Sequence, residues 1–297
     1  NPQAQDALIR RLKDKIAKNS EKLVDVRMDG VEGADVVVLS YGITSRIVTA
    51  AQLASDDVVV EIGPGLGSLT RRLVSQVARV VAVELDATLA ASLPRRLGHP
   101  SNLTAVVADA RTVSIASLVG EDTSYKVVAN LPYYAANPIV RRFLEAEPKP
   151  TLLVVMVQRE VAHSMTAAPG EMTILSVATQ YYAVPSLVCT VPPSAFRPPP
   201  KVTSAVVRLE PRPAPPVEVG DPAAFFGLVR AGFAAPRKQL RNSLSQGLAT
   251  ANAEVEQCLA SAELDGRRRA ETLSLEEGAR LYRAWTQRRT GGSSGLR

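Results

Sequence analysis

The sequence predicts an α/β protein, with a mostly parallel sheet covered on both faces and a small all-helical region after it. Three observations carry this. From residue 56 short β-rich apolar runs alternate with helical or loop segments. A glycine-rich turn joins the first of these runs to the first helix. After the proline-rich stretch "PRPAPPVEVG" (211–220) only helical patterns follow, to about residue 289.

Taken in order, a basic helical pattern covers about residues 5–19 and "DVVVL" (35–39) reads as a strand. "VVVEIG" (58–63) reads as a buried strand, and "LTRRLVSQV" (69–77) as an amphipathic helix. "VVAVEL" (80–85), "TAVVAD" (104–109), "KVVAN" (126–130) and "TLLVVMV" (151–157) are further strands. Continuous apolar runs of this kind suit a parallel sheet buried on both faces. "SLVCTVP" and "VTSAVVRLE" are separated only by a proline-rich loop, so they are expected to close the sheet as an antiparallel pair. The organisation expected is an atypical segment at 1–44, an α/β domain at 45–210, a stiff linker at 211–220, a helical domain at 221–290 and a disordered tail at 291–297.

A chain of 297 residues, 46% hydrophobic, is long enough for one large core and a smaller one. No apolar run approaches membrane-spanning length, and no signal-type apolar region follows the basic amino-terminal stretch, so a cytoplasmic location is expected. Cys189 and Cys258 lack Cys-x-x-Cys spacing, and His99 and His163 lack ligand spacing; no metal site is expected. The net charge of +6 suits either plain solubility or a polyanionic partner such as nucleic acid.

"EIGPGLGSLT" (61–70) turns a strand into a helix through Gly63, Gly65 and Gly67, which let backbone approach a ligand. Alone, such a turn is weak evidence, because dinucleotide folds use a similar one. Its context is more specific. Glu84 ends the second strand, where an acid can accept both ribose hydroxyls. Asp109 ends the third, where a carboxylate can accept from an adenine amine. Glu61 precedes the glycines and suits orienting the loop or an ammonium. Acids at successive strand ends fit a nucleoside but not a diphosphate. S-adenosylmethionine fits this pattern, and NAD fits it poorly.

"VVANLPYYAANPIV" (127–140) leaves a buried strand through an amide, a proline and two phenols. An adenine amine is a poor nucleophile because its lone pair is delocalised into the ring. The Asn130 side-chain oxygen and the Leu131 or Pro132 carbonyl could accept its two hydrogens and localise that pair. Tyr133 could stack on a base taken out of its helix, with Phe196 as a second wall. Singly, Tyr133 suits core packing and Phe196 a strand-end plug; beside the glycine turn they suit a base pocket.

"VVEIGPGLGSLT", "VAVELD", "VVADA", "VVANLPYY", "VQREVA", "FRPPPKVTSAVV", "FAAPRKQLRNSL" and "AETLSLEEGARLYRAW" together resemble the bacterial small-subunit ribosomal RNA adenine N6-dimethyltransferase family, over about residues 45–290. The resemblance implies a Rossmann-like methyltransferase domain with a small helical domain that helps grip rRNA. It implies dimethylation of two adjacent adenines late in small-subunit assembly. By motif, Gly63, Glu84, Asp109 and Asn130 would bind S-adenosylmethionine, joined by Glu61 and Gly65. Asn130, Leu131, Pro132, Tyr133 and Phe196 would handle the adenine. Arg237, Lys238 and Arg241 become candidate phosphate contacts, although each equally suits a solvated helix face. The partner implied is small-subunit rRNA in immature 30S-type particles, met by a monomer away from any membrane.

Two stretches depart from the family. It normally begins with a "GQNFL"-like lid over the cofactor, which is missing. Residues 1–50 instead read "RRLKDKIAKNSEKLVDV" and then "ADVVVLSYGITSRIV", which resemble a piece of the α subunit of 2-oxoacid:ferredoxin oxidoreductases, with a join near Thr44–Val48. No oxidoreductase chemistry carries over, since so short a piece has no thiamine or iron–sulfur machinery. An amino-terminal segment of this kind is expected to pack loosely through residue 43. In "GEMTILSV" (170–177) a Tyr-Gly pair is missing, which bears on the substrate-side loop. Two other functions remain open: a large-subunit rRNA adenine methylase of the antibiotic-resistance type, and a catalytically impaired RNA-binding assembly factor. A DNA adenine methylase is disfavoured by the amide at Asn130, where an acid is more usual.

Overall fold

The computed structural model describes residues 38–39, 41–197 and 199–292. The basic pattern at 5–19, the start of "DVVVL" and the tail from 293 onward lie outside them. So does most of the stretch that resembles an oxidoreductase subunit.

The first described strand, β1 (Val38–Leu39), pairs antiparallel with β8 (Phe196–Arg197), Leu39 opposite Phe196. This ribbon stands apart from the main sheet, so "DVVVL" ends in pairing without taking a place there. Helix α1 (Tyr41–Ala51) follows and runs through the join expected near Thr44–Val48 without a break. Ile43, Thr44, Ile47 and Ala51 are buried, so loose packing does not extend to Ile43. The end of α1 is fixed across the sheet. Arg208 donates to the Ala50 carbonyl, and Lys126 donates to the Gln52 carbonyl at 2.7 Å and to Asp57 at 2.7 Å. Cations satisfy the last carbonyls of a helix and its negative end.

The main sheet has seven strands in the order β4-β3-β2-β5-β6-β9-β7. These are β2 (Val58–Ile62), β3 (Arg79–Glu84), β4 (Leu103–Val107), β5 (Lys126–Asn130), β6 (Leu152–Gln158), β7 (Ala183–Val191) and β9 (Ser204–Pro211). β2 to β6 are mutually parallel, while β9 runs antiparallel to β6 and β7 antiparallel to β9. The α/β class and the antiparallel closure thus match the expectation. Val59 and Val60 face opposite sides, as the pleat requires. Val59 packs with Ile47, Leu73 and Met156, and Val60 with Val81, Val127 and Phe143. Fully burying an apolar side chain of this size contributes about 1.5–3 kcal/mol.

Local chemistry sets the helix ends. α2 (Thr70–Val74) is shorter than the 69–77 predicted. The Ser75 hydroxyl and the Gln76 amide both donate to the Arg72 carbonyl, drawing the chain out of the helix. α3 (Ala87–Arg96) is capped by Asp86, which accepts from the Thr88 and Leu89 amides. α4 (Ile115–Val119) and α5 (Ala136–Glu145) complete the parallel half.

α6 (Arg159–Thr166) and α7 (Ile174–Tyr182) follow β6. α7 belongs to two neighbourhoods. Its Ser176 hydroxyl donates to the Ser164 carbonyl of α6. Its Met172 approach, Val177 and Tyr181 join the core of the carboxyl-terminal helices α8 (Pro222–Gly232), α9 (Leu240–Leu248), α10 (Asn252–Ser261) and α11 (Leu275–Gly292). The 211–220 stretch is docked there, unlike a free spacer: Val217 and Val219 are buried, and Arg283 donates to the Glu218 carbonyl at 3.1 Å. β9 also reaches Pro211. α11 continues to Gly292, beyond the end predicted near 289 and into the residues expected as tail.

Candidate active site

Parallel strands in register bring their carboxyl ends to one edge: Ile62 lies opposite Val83 and Ala129, and Glu84 opposite Val107. Ligands of open α/β sheets bind outside such an edge. A cleft of about 450 Å³ opens there. Glu61, Gly63, Gly65, Glu84, Asp109, Asn130, Leu131, Pro132, Tyr133 and Phe196 all line it. Arg237, Lys238 and Arg241 do not; they lie at the turn into α9 and in its first turn.

The turn after β2 is a held backbone. The Gly63 amide donates to the Val83 carbonyl at 2.9 Å, with φ +66°. At Gly67, φ is +86° and a Cβ would stand 2.8 Å from the Leu93 Cδ1, so both conformation and space call for glycine. Glu84 pins the turn from the next strand. Its Oε2 accepts from the Gly65 amide at 3.2 Å, and its Oε1 from the Leu85 and Asp86 amides at 2.9 and 3.1 Å.

Glu61 is 1% exposed, and its Oε2 has no hydrogen-bond partner. Burial pushes its carboxyl up to about 8; nearby Thr70 opposes the shift, and the charge of Glu84 adds to it. A buried, unpartnered carboxyl oxygen on the wall of a cleft calls for a cationic or hydrogen-bonding ligand.

Asp109 lies two residues past the end of β4, in a loop and not in the strand predicted for it. Arg111 occupies it. The Arg111 amide and Nε donate to Oδ1 at 2.9 and 3.0 Å; Nε and a terminal nitrogen donate to Oδ2 at 3.0 and 2.6 Å. These bonds hold the Asp109 carboxyl below its usual range. Arg111 itself lines the cleft and was not singled out from the sequence. The available signal was "DAR", an Asp and an Arg two residues apart at a strand end.

Asn130 is the last residue of β5, fixed from behind by the Leu131 amide donating to the Met156 carbonyl at 3.1 Å. The Pro132 carbonyl accepts from the Ala135 amide at 3.0 Å and keeps one lone pair in reserve. Tyr133 is half-buried with its hydroxyl 2.6 Å from that of Ser204. Tyr134 stands 78% exposed at the mouth. Phe196 is only 1% exposed, packed with Val191 and Val206, so in this conformation it closes the cleft as a buried wall. Among the described residues, no group of three or more His, Cys, Asp or Glu side chains is placed to hold a metal.

In the helical region, Arg241 is paired with Glu256 at 3.1 Å, while Arg237 and Lys238 are exposed and form no ion pair among the described residues. The three arginines of "DGRRRA" are paired with Asp265, Glu277 and Glu271.

The sequence model describing "Ribosomal RNA adenine dimethylase" matches residues 40–282. The chain belongs to this ribosomal RNA adenine dimethylase family. Its match begins at residue 40, five before the start expected from motifs, and takes in all of α1. A relative named ribosomal RNA small subunit methyltransferase A, from Dehalococcoides mccartyi, is 43% identical over 250 residues, covering 84% of this chain and 86% of that one. Among solved structures, the 23S rRNA methyltransferase ErmE is 28% identical with a TM-score of 0.66, covering 85% of this chain and 100% of that one. A dimethyladenosine transferase from Plasmodium falciparum shares the fold, at 22% identity and TM-score 0.71 over 84% of this chain and 97% of that one. The dimethylase family uses S-adenosylmethionine. The cleft suits that molecule: the Glu61 Oε2 has no partner, and Gly63 and Gly65 bring bare backbone to its wall.

Proposed function

We propose that this dimethylase transfers methyl groups to N6 of two adjacent adenines in small-subunit ribosomal RNA, acting as a monomer on immature 30S-type particles in the cytoplasm. One observation carries the chemistry. The Asn130 amide sits beside the glycine turn with no hydrogen bond to another described residue, free to take a substrate. The choice of subunit rests on the relatives: those 38–43% identical are named for the small subunit, whereas ErmE is 28% identical.

When bound, S-adenosylmethionine supplies a methyl group on a sulfonium. Glu61 and the Gly63–Gly65 backbone hold its amino-acid end, Glu84 its ribose and Asp109 its adenine. Asn130 Oδ1 and the Leu131 or Pro132 carbonyl accept the two hydrogens of the target amine and direct its lone pair. Tyr133 stacks on the base, and Phe196 backs it. No strong base is needed for the attack, because positioning and stabilised charge lower the barrier, and the cationic methylated N6 then gives its proton to solvent. Arg237, Lys238 and Arg241 contact phosphates, Arg241 by exchanging Glu256.

Radiolabelled methyl transfer to immature small subunits and to naked large-subunit RNA tests this. Label on the small-subunit substrate alone is expected; label confined to large-subunit RNA would replace the proposal with the resistance-type reading. Cofactor binding by calorimetry addresses the third reading: RNA binding without any cofactor binding would make the chain an assembly factor.

A further inference from the structure

We propose that Arg111 is a gate shared between cofactor and RNA: its guanidinium covers Asp109, a nucleoside must displace it to reach that carboxylate, and the displaced guanidinium receives a backbone phosphate of the target strand. The inference rests on the proposed adenine contact of Asp109. Both carboxylate oxygens of Asp109 are taken, each by two donors, and all the donors belong to residue 111. A carboxylate has about four lone-pair positions, so an adenine amine finds no well-aligned acceptor there until the guanidinium withdraws. The backbone bond from the Arg111 amide survives that withdrawal, which keeps Asp109 aimed while freeing its outer oxygen.

Withdrawal is open to a ligand. The pair meets solvent, with side-chain accessibilities of 48% for Arg111 and 28% for Asp109. Solvent screens such a pair, and its bidentate geometry puts it at the strong end of the surface range. The displaced side chain remains at the mouth of the cleft, on the wall that also carries the 78% exposed Tyr134. An incoming RNA strand must pass that mouth to deliver a base. A guanidinium presents a planar fork that matches two phosphate oxygens. Cofactor occupancy therefore prepares the cation that RNA needs. By linkage, RNA strengthens nucleoside binding by the same factor.

The test compares the wild type with Arg111→Ala, Arg111→Lys and Asp109→Asn. Adenosine serves as an uncharged probe and S-adenosylhomocysteine as a non-reacting one, so loss of a positive charge does not itself change attraction for the ligand. Calorimetry gives nucleoside affinity. Binding of a single-stranded RNA with adjacent adenines is measured with and without S-adenosylhomocysteine. Arg111→Ala is expected to tighten adenosine about two- to fivefold, the upper part of the range for surface ion pairs. It is also expected to abolish the gain in RNA affinity that the homocysteine ligand brings to the wild type. Arg111→Lys keeps the charge but not the fork, so it falls between and serves if the alanine variant does not fold. If both Arg111 variants keep wild-type nucleoside affinity and wild-type coupling while Asp109→Asn weakens binding, the gate is overturned and Asp109 keeps its role. If Asp109→Asn changes nothing, the adenine assignment fails and the gate fails with it.

Discussion

The Tyr133 hydroxyl meets the Ser204 hydroxyl at 2.6 Å and so ties the loop after β5 to the first residue of β9. Ser204 is fully buried. The bond spans 71 residues of chain and fixes where the far end of the Tyr133 ring stands. Tyr133→Phe keeps the ring and strands the serine. It is expected to cost about 1–3 kcal/mol of stability, the penalty for an unpaired buried polar group. Thermal unfolding checks this, and methyl transfer should fall much less than with Tyr133→Ala.

Asn130→Ala is expected to lower methyl transfer by about 10²-fold or more, as for other preorganised hydrogen-bonding groups. The fold should persist, because the amide has no hydrogen bond to another described residue. Single-turnover kinetics beside a thermal melt separate the two effects. Near-normal turnover would remove Asn130 from the chemistry.

Glu61 gives a pH signature. Its folded carboxyl titrates near 8, against an ordinary value of 4.5, with burial as the main cause. Between those values the folded state keeps a proton that the unfolded chain has lost, so stability should fall as pH rises through this window. Tm of the cofactor-free protein against pH should show that decline, and Glu61→Gln should flatten it. A cationic ligand beside Glu61 would ionise it, so cofactor binding near pH 7 should release a proton. Calorimetry in buffers of different ionisation enthalpy would detect it.

RNA affinity should weaken steeply with salt. Arg237 and Lys238 are the exposed cations of the turn before α9, so replacing both with alanine should flatten the slope of log K against log salt by about one unit per lost contact. The "DGRRRA" arginines are already matched with acids, so their replacement should change the slope less. An unchanged slope in the double variant would move the RNA face elsewhere.

Gly247 lies where α9 crosses α8. A Cβ there would stand 2.5 Å from the Ala231 Cα and 2.7 Å from its carbonyl oxygen, both backbone atoms that cannot step aside. Gly247→Ala is expected to destabilise the helical region by about 1–3 kcal/mol or more. Chemical denaturation should show this despite the gain in helix propensity. An unchanged midpoint would mean the two helices can separate freely.

Much of the sheet was legible because its strands are continuous β-branched runs, and the cleft because its acids fall near the ends of successive strands. What escaped depended on distant neighbours. Nothing in "SQGL" says that Gly247 meets Ala231, and nothing in "PPVEV" says that Val217 is buried under helices. The isolation of Glu61 arises from the strands on either side of it. The pairing of Arg111 with Asp109 was local and readable in principle, but a two-residue spacing at a strand end is common and fixes no partner. α2 ended early because serine and glutamine side chains compete for one carbonyl, a contest that apolar periodicity does not register.

The double allegiance of α7 bears on how this protein can be taken apart. A cut through 211–220 would look natural on the sequence, yet it would leave Tyr181 without Phe225, whose ring lies 5.8 Å away, and Val177 without a cover. Neither fragment would be self-sufficient, and a graft of foreign helices would have to reproduce the surface that α7 expects. The helical region and the sheet are therefore bound to change together: a substitution at Tyr181 is a demand on α8, and one at Phe225 is a demand on the segment that feeds β7.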